Sequence, residues 1–153
     1  MISTQQNYML EAIALAKTAI EKDEVPVGAI IVDSRNNQII SQSFNQVEST
    51  FDPTAHAEII VIKKACKILQ TSRLEFCDLF VTLEPCAMCA AAISHSKIRR
   101  LYFGAYDIKG GAVENGVRFF ESKTCHHSPE VYGGILQKES SKLLKDFFQT
   151  KRH

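Results

Sequence analysis

The sequence has little of what marks a secreted, membrane or strongly nucleic-acid-binding chain. Its 18 Lys and Arg are nearly balanced by 17 Asp and Glu, for a formal net charge of +1, so it carries no global basic field. A local basic patch remains allowed. No apolar run approaches the ~20 residues that a membrane-spanning helix needs. Residues 1–24 lack a basic start followed by an apolar stretch, so no secretory leader is expected. The 5 cysteines are an odd number, and two of them sit in a C-x-x-C. That suits metal binding in a reducing compartment better than a disulfide framework. Repeats, low-complexity tracts and linkers are also missing. The 153 residues, 45% of them hydrophobic, fit one ordinary domain with a real core. The expectation is a single domain over 1–153 in the cytoplasm.

The apolar periodicity lays out the elements. Met9, Ala12, Ile13, Ala16, Ala19 and Ile20 recur at helical spacing within 5–22, and Pro26 is expected to stop that helix. Val27 to Val32 reads as a buried strand, Ser34 to Asn37 as a turn, and Gln38 to Phe44 as the returning strand of a hairpin. Asn45 to Thr54 is a polar loop, followed by a helix from Ala55 to Leu69. Leu79 to Leu83 and Arg100 to Gly104 are strands, and Pro85 opens a helix through Ser94, where its missing N–H costs nothing. Ala112 to Glu121 has no clear period. Val131 to Leu136 is a weak strand interrupted by Gly133 and Gly134, and Gln137 to Phe148 is a final helix. A hairpin followed by alternating helices and strands implies an α/β sandwich with helices on both faces of the sheet.

Two motifs carry the chemistry. His56-Ala57-Glu58 reads H-x-E, and Pro85-Cys86-Ala87-Met88-Cys89 reads P-C-x-x-C. His56, Cys86 and Cys89 supply three zinc ligands and leave a fourth position open, as catalytic zinc requires. Cys86 and Cys89 are three apart, so they share one helix face. Both motifs fall at predicted helix N-termini, which favour the thiolate form that binds metal. Glu58, two residues from the histidine, is placed to move protons around a water in the open position. The combination is the signature of zinc-dependent base deaminases.

Other uses of these residues are possible. A structural zinc site would need a fourth protein ligand, for which Cys66, Cys77, Cys125, His95, His126 and His127 are candidates. A redox C-x-x-C would require neither H-x-E nor the proline. Cys66 and Cys77 read as small buried apolar residues, and His95 as a helix-end or pocket-wall residue. Cys125-His126-His127 lacks a remote partner and reads as a loop rather than a second metal site. At the C-terminus Lys138, Lys142, Lys145, Lys151 and Arg152 face only Glu139 and Asp146, beside Phe147 and Phe148. Basic charge next to an aromatic suits phosphate contact and base stacking. Leu143, Leu144, Phe147 and Phe148 also recur at helical spacing, which suits a core.

Almost from end to end the chain resembles the cytidine deaminase superfamily and, more closely, the bacterial tRNA adenosine deaminases. The resemblance is carried by Val25-Pro26-Val27-Gly28-Ala29, Asp52 to Glu58, Thr82 to Ala90, Tyr102 to Ala105 with Asp107, Gly134-Ile135-Leu136 and Asp146-Phe147-Phe148. It implies a three-layer α-β-α sandwich with a mixed five-stranded sheet, a homodimer with active sites near the subunit interface, and one Zn²⁺ per subunit. It also implies conversion of adenosine to inosine at the wobble position of a tRNA anticodon stem-loop, in bacteria usually that of the arginine tRNA with an A-C-G anticodon. An anticodon loop is a sensible target because its bases are already unpaired and cheap to extrude. Carried onto this sequence, the resemblance makes His56, Cys86 and Cys89 the metal ligands and Glu58 the general acid and base. Asn45 would contact the flipped adenosine, Val27 and Ala29 would flank the base pocket, and Asp107, Phe148 and Arg152 would lie along the RNA. The chain departs from the family at His126-His127, where an Asn-His pair is common. The rival activity is a free nucleobase or nucleoside deaminase acting on cytosine or guanine with the same fold and zinc site. A catalytically dead partner subunit is disfavoured by the presence of Glu58.

Overall fold

The computed structural model describes residues 2–151. Helix α1 (Thr4–Glu21) starts at Ser3, whose hydroxyl accepts from Gln6 N while the Gln6 side chain accepts from Ser3 N. This reciprocal cap satisfies two N–H groups that the first turn leaves free. Met9, Ala12, Ile13, Ala16 and Ala19 form its buried stripe. The helix ends well before Pro26: Lys22 caps it, and Asp23 turns the chain at φ 59°.

Five strands follow: β1 (Gly28–Asp33), β2 (Gln38–Phe44), β3 (Cys77–Leu83), β4 (Arg100–Ala105) and β5 (Glu130–Tyr132). They form one sheet in the order β2-β1-β3-β4-β5. β1 is antiparallel to β2 and β3, and β3, β4 and β5 run parallel. This is the expected mixed five-stranded sheet. All of β1 is buried, because both faces of the sheet are covered. Alternate residues serve the two sides. Ala29 and Ile31 join Leu79, Val81 and Phe103 beneath α3 (Ala57–Leu69) and α4 (Ala87–His95). Ile30 and Val32 join Phe80 and Tyr102 beneath α1, with Leu143 of α5 (Gln137–Thr150) packed alongside. Phe80, Tyr102 and Tyr132 stack across β3, β4 and β5 with ring centroids 4.4 and 5.0 Å apart, the cross-strand pairing that steadies a sheet.

Several boundaries differ from the sequence reading. The polar segment after Asn45 holds a single helical turn, α2 (Val47–Thr50). α3 starts at Ala57, with His56 as its cap, and α4 at Ala87, with Cys86 as its cap. Pro85 therefore precedes the helix instead of opening it. The stretch 112–121 is loop ending in a short 3-10 turn, Phe119–Glu121. β5 closes at Tyr132, ahead of the two glycines. No helix among the described residues is long and apolar enough to cross a membrane.

Candidate active site

The two motifs meet where α3 and α4 begin. His56 (φ −69°, ψ 151°) and Cys86 (φ −75°, ψ 176°) both have extended backbone at the cap position, and neither side chain caps its own helix. Both side chains are thus free to turn toward each other. The His56 Nδ1 lies 3.6 Å from Cys86 Sγ and 3.4 Å from Cys89 Sγ. All three ligand atoms fall within 4.8 Å of one another. Tetrahedral zinc, with Zn–N near 2.05 Å and Zn–S near 2.3 Å, places N and S about 3.6 Å apart. The three side chains therefore fit one zinc ion, and among the described residues no fourth ligand joins them. The alternative ligands considered from sequence lie elsewhere. Cys125 Sγ donates to His127 O at 3.1 Å, the His127 ring meets Ile98 O at 2.7 Å, and His95 is exposed at the end of α4.

The electrostatics suit metal binding. Hydrogen bonding from the Cys89 thiol and from the His56 ring holds the Cys86 thiol down to about 4, against the cost of its burial. The same Cys86–Cys89 contact, together with burial, pushes the Cys89 thiol up. The contact thus favours the thiolate at Cys86, the form of cysteine that binds metal. Glu58 is buried in the first turn of α3. Burial pushes its carboxyl up to about 7, opposed by its own backbone N–H and the His56 charge.

A cleft of about 850 Å³ opens over this cluster, with His56, Glu58 and Cys86 in its wall. Val27, Asn45 and Asp107 also line it. Asn45 is buried, and its Nδ2 donates to Glu24 Oε1 at 3.5 Å. Ala29 does not reach the cleft: it is wholly buried within β1 under α3 and α4. Phe148 lies outside the main cleft, 45% exposed, in a neighbouring hollow that shares Asp107. Its neighbour Phe147 turns inward and lines the cleft. Arg152 lies outside the described residues. Lys151 pairs with Asp23 across the rim, beneath the face of the Phe147 ring.

Two carboxylates to which the sequence assigned no role of their own shape this cleft. Glu24 is fully buried and accepts from Glu48 N at 3.1 Å and Ser49 N at 2.6 Å, so a residue from before β1 caps α2. Glu84, between β3 and Pro85, is 2% exposed and accepts hydrogen bonds from the segment 107–115. Each acidic side chain sits next to an apolar strand, the one cue that could have raised them. Their partners are backbone N–H groups and the Asn45 and Asn115 side-chain amides far along the chain, which no motif records.

Comparison with known proteins matches residues 2–105 to the family of the cytidine and deoxycytidylate deaminase zinc-binding region. A tRNA-specific adenosine deaminase of Agrobacterium fabrum is 52% identical over 151 residues, covering 99% of this chain and 98% of that protein. Another, of Rickettsia bellii, is 52% identical over 141 residues, covering 92% and 97%. A solved structure from biochemical and structural studies of A-to-I editing by tRNA:A34 deaminases at the wobble position of transfer RNA superposes with a TM-score of 0.87. It is 54% identical and covers 90% of this chain and 99% of its own.

Proposed function

The chain belongs to the cytidine and deoxycytidylate deaminase zinc-binding family and, within it, to the tRNA-specific adenosine deaminases, and from that footing we propose that it converts adenosine to inosine at the wobble position of a tRNA anticodon. The observation that carries the reading is the His56–Cys86–Cys89 cluster, spaced for one zinc ion, at the floor of a cleft that also holds a buried acid.

His56 Nδ1 and the Cys86 and Cys89 sulfurs would hold the ion. A bound zinc ion would supply Lewis acidity, which makes water a competent nucleophile near neutral pH. Glu58 handles the protons. Its carboxylate accepts one from the attacking water and delivers it to the ring nitrogen beside C6. A second transfer goes to the departing amine. A C6–O bond forms, the C6–N bond breaks, ammonia leaves, and the ring becomes that of inosine. Burial suits Glu58 to this work, because a carboxyl whose pKa lies near neutrality both accepts and donates readily.

Asn45, Val27 and Asp107 form the walls that receive the extruded base and its neighbours. Ala29 acts one layer down, by holding the strand beneath the pocket. Phe148, in the neighbouring hollow, and Lys151, at the end of the C-terminal helix and in the cleft wall, extend the RNA path; Arg152 is assigned to it by the family resemblance alone. An anticodon stem-loop is the natural substrate for such a site, since it offers an unpaired adenosine at little unstacking cost. We assign the protein one deaminase domain, a homodimeric state as the family resemblance implies, and a cytoplasmic location. Its five free cysteines suit a reducing compartment.

The test is to incubate the zinc-loaded protein with bacterial tRNA carrying an A-C-G anticodon and map inosine by mass spectrometry of nuclease fragments. Inosine at the first anticodon position alone is expected. Adenosine left intact there, with the zinc site full, contradicts the reading.

A further inference from the structure

We propose that Glu84 is a positioning residue for the substrate, fastening the loop that carries Asp107 to the turn that carries Cys86. The inference rests on the deaminase reading above and extends it to a buried residue of the cleft lining that is neither a metal ligand nor the proton carrier.

Five donors converge on this one carboxylate. Oε1 accepts from Asp107 N at 3.0 Å and from Asn115 Nδ2 at 2.8 Å. Oε2 accepts from Val113 N at 3.1 Å, Glu114 N at 2.8 Å and Asn115 N at 3.0 Å. No Lys, Arg or His pairs with Glu84 among the described residues. Its charge is met by peptide dipoles, as in backbone anion nests. The backbone beside it is tied in the same direction. Glu84 N donates to Ala105 O at 2.8 Å, and Ala112 N donates to Pro85 O at 2.9 Å. Gly111 makes the approach possible, because a β-carbon there would sit 2.5 Å from Glu84 Cδ.

The arrangement joins two parts of the site. Glu84 lies two residues before Cys86, so it is fixed to the metal-binding turn. Through Oε1 it holds the backbone of Asp107, which together with Gly110 lines the cleft. The Asp107 side chain is braced in turn, with Oδ1 accepting from Gly110 N at 2.9 Å. The β3–β4 pairing and the backbone bonds beside Glu84 bring the two segments together, and the Glu84 carboxylate fixes the Asp107 backbone against the metal-binding turn.

Glutamine in its place discriminates between the two ends. An amide accepts only through its oxygen and presents donors at the other end. The oxygen is best kept by the three N–H groups of 113–115. The amide nitrogen then faces Asn115, whose side chain can turn to accept, and Asp107 N–H, which cannot. Glu84→Gln therefore releases Asp107 while leaving the rest of the nest.

The experiment measures Glu84→Gln, Asp107→Ala and the double variant on an anticodon stem-loop with adenosine at the wobble position. Zinc content and Asp107 amide exchange are read on the same samples. Glu84→Gln should keep its zinc and raise KM about tenfold, the size expected for one charge-assisted hydrogen bond, with kcat changed far less. Exchange at the Asp107 amide should quicken. The double variant should be no worse than Asp107→Ala alone, because the two residues act as one. Unchanged KM in zinc-replete Glu84→Gln, or effects that simply add, would overturn the proposal. If Glu84→Gln does not fold, Asn115→Ala serves: a smaller rise in KM is expected, and an unchanged KM overturns it. A wild-type protein inactive on the stem-loop marks failure of the functional reading itself, and this inference falls with it.

Discussion

All of α3 and β3 lie between His56 and Cys89 in the chain, yet the His56 Nδ1 comes to rest 3.4 Å from the cysteine sulfur. That separation is what a shared tetrahedral zinc demands, and it follows from placing the two ligand motifs at the neighbouring N-termini of α3 and α4.

The first prediction concerns those ligands. Cys86→Ala should lose zinc, and its melting temperature should fall with the metal, since metal binding is coupled to folding. Metal analysis beside a thermal melt checks this. Full zinc occupancy in the variant would remove Cys86 from the ligand set.

Glu58→Gln separates chemistry from structure. The amide fills the same space in the first turn of α3 but cannot carry the proton. Turnover should drop by about 10²–10⁴-fold, while zinc content and melting temperature hold. Retained activity would mean that another group moves the proton.

Both motifs were legible from the sequence because ligand spacing and helix starts are local properties. The layered fold was legible for a similar reason: the residues of β1 alternate between two apolar layers, and the stripe of α1 recurs at helical spacing. α2 was not legible, because its cap is the carboxylate of Glu24, reached through the fold rather than along the chain. The same holds for Glu84, whose donors begin at Asp107. Ala29 falls on the expected strand and shares a face with Val27, but it lies inside β1 and is enclosed by the core, whereas Val27, just before the strand begins, also reaches the cleft.

Glu24 gives a prediction in pH. Burial raises its carboxyl, but the N–H groups of Ser49 and Glu48 lower it further, so the folded pKa lies below the ordinary 4.5. The unfolded chain then binds more protons than the folded one. Stability from this group is present above pH 4.5 and is lost as pH falls through the folded value. Glu24→Gln leaves a donor unmatched and should cost about 1–3 kcal/mol at neutral pH. The variant's stability should also decline less than the wild type's on acidification. Denaturant melts between pH 7 and about 3 read both effects, and parallel curves would contradict them.

Gly28 tests how closely α1 lies on the sheet. A β-carbon there would stand 2.0 Å from Ala12 O, so Gly28→Ala must push the helix off β1. A loss of about 1–3 kcal/mol is expected, as for overpacked cores. Zinc binding should survive, since the ligands sit on the opposite face. An unchanged melting temperature would show that the helix gives way freely.

The C-terminal end offers a salt test. Replacing Lys151 and Arg152 by alanine should weaken binding to the anticodon stem-loop. It should also flatten the dependence of log K on log salt by about 0.7 for each phosphate that the tail no longer neutralises. Identical slopes would place the tail outside the interface.

The measurement that bears most directly on the whole account is a competition. The zinc-loaded protein is given an anticodon stem-loop with adenosine at the wobble position, alongside free adenosine, guanine and cytosine, and both inosine and ammonia are followed. Inosine in the stem-loop with the free compounds untouched is the predicted result. Ammonia from a free base, with the stem-loop intact, would contradict it: the zinc chemistry would stand, but the cleft beneath the C-terminal helix would be a closed pocket for a small molecule.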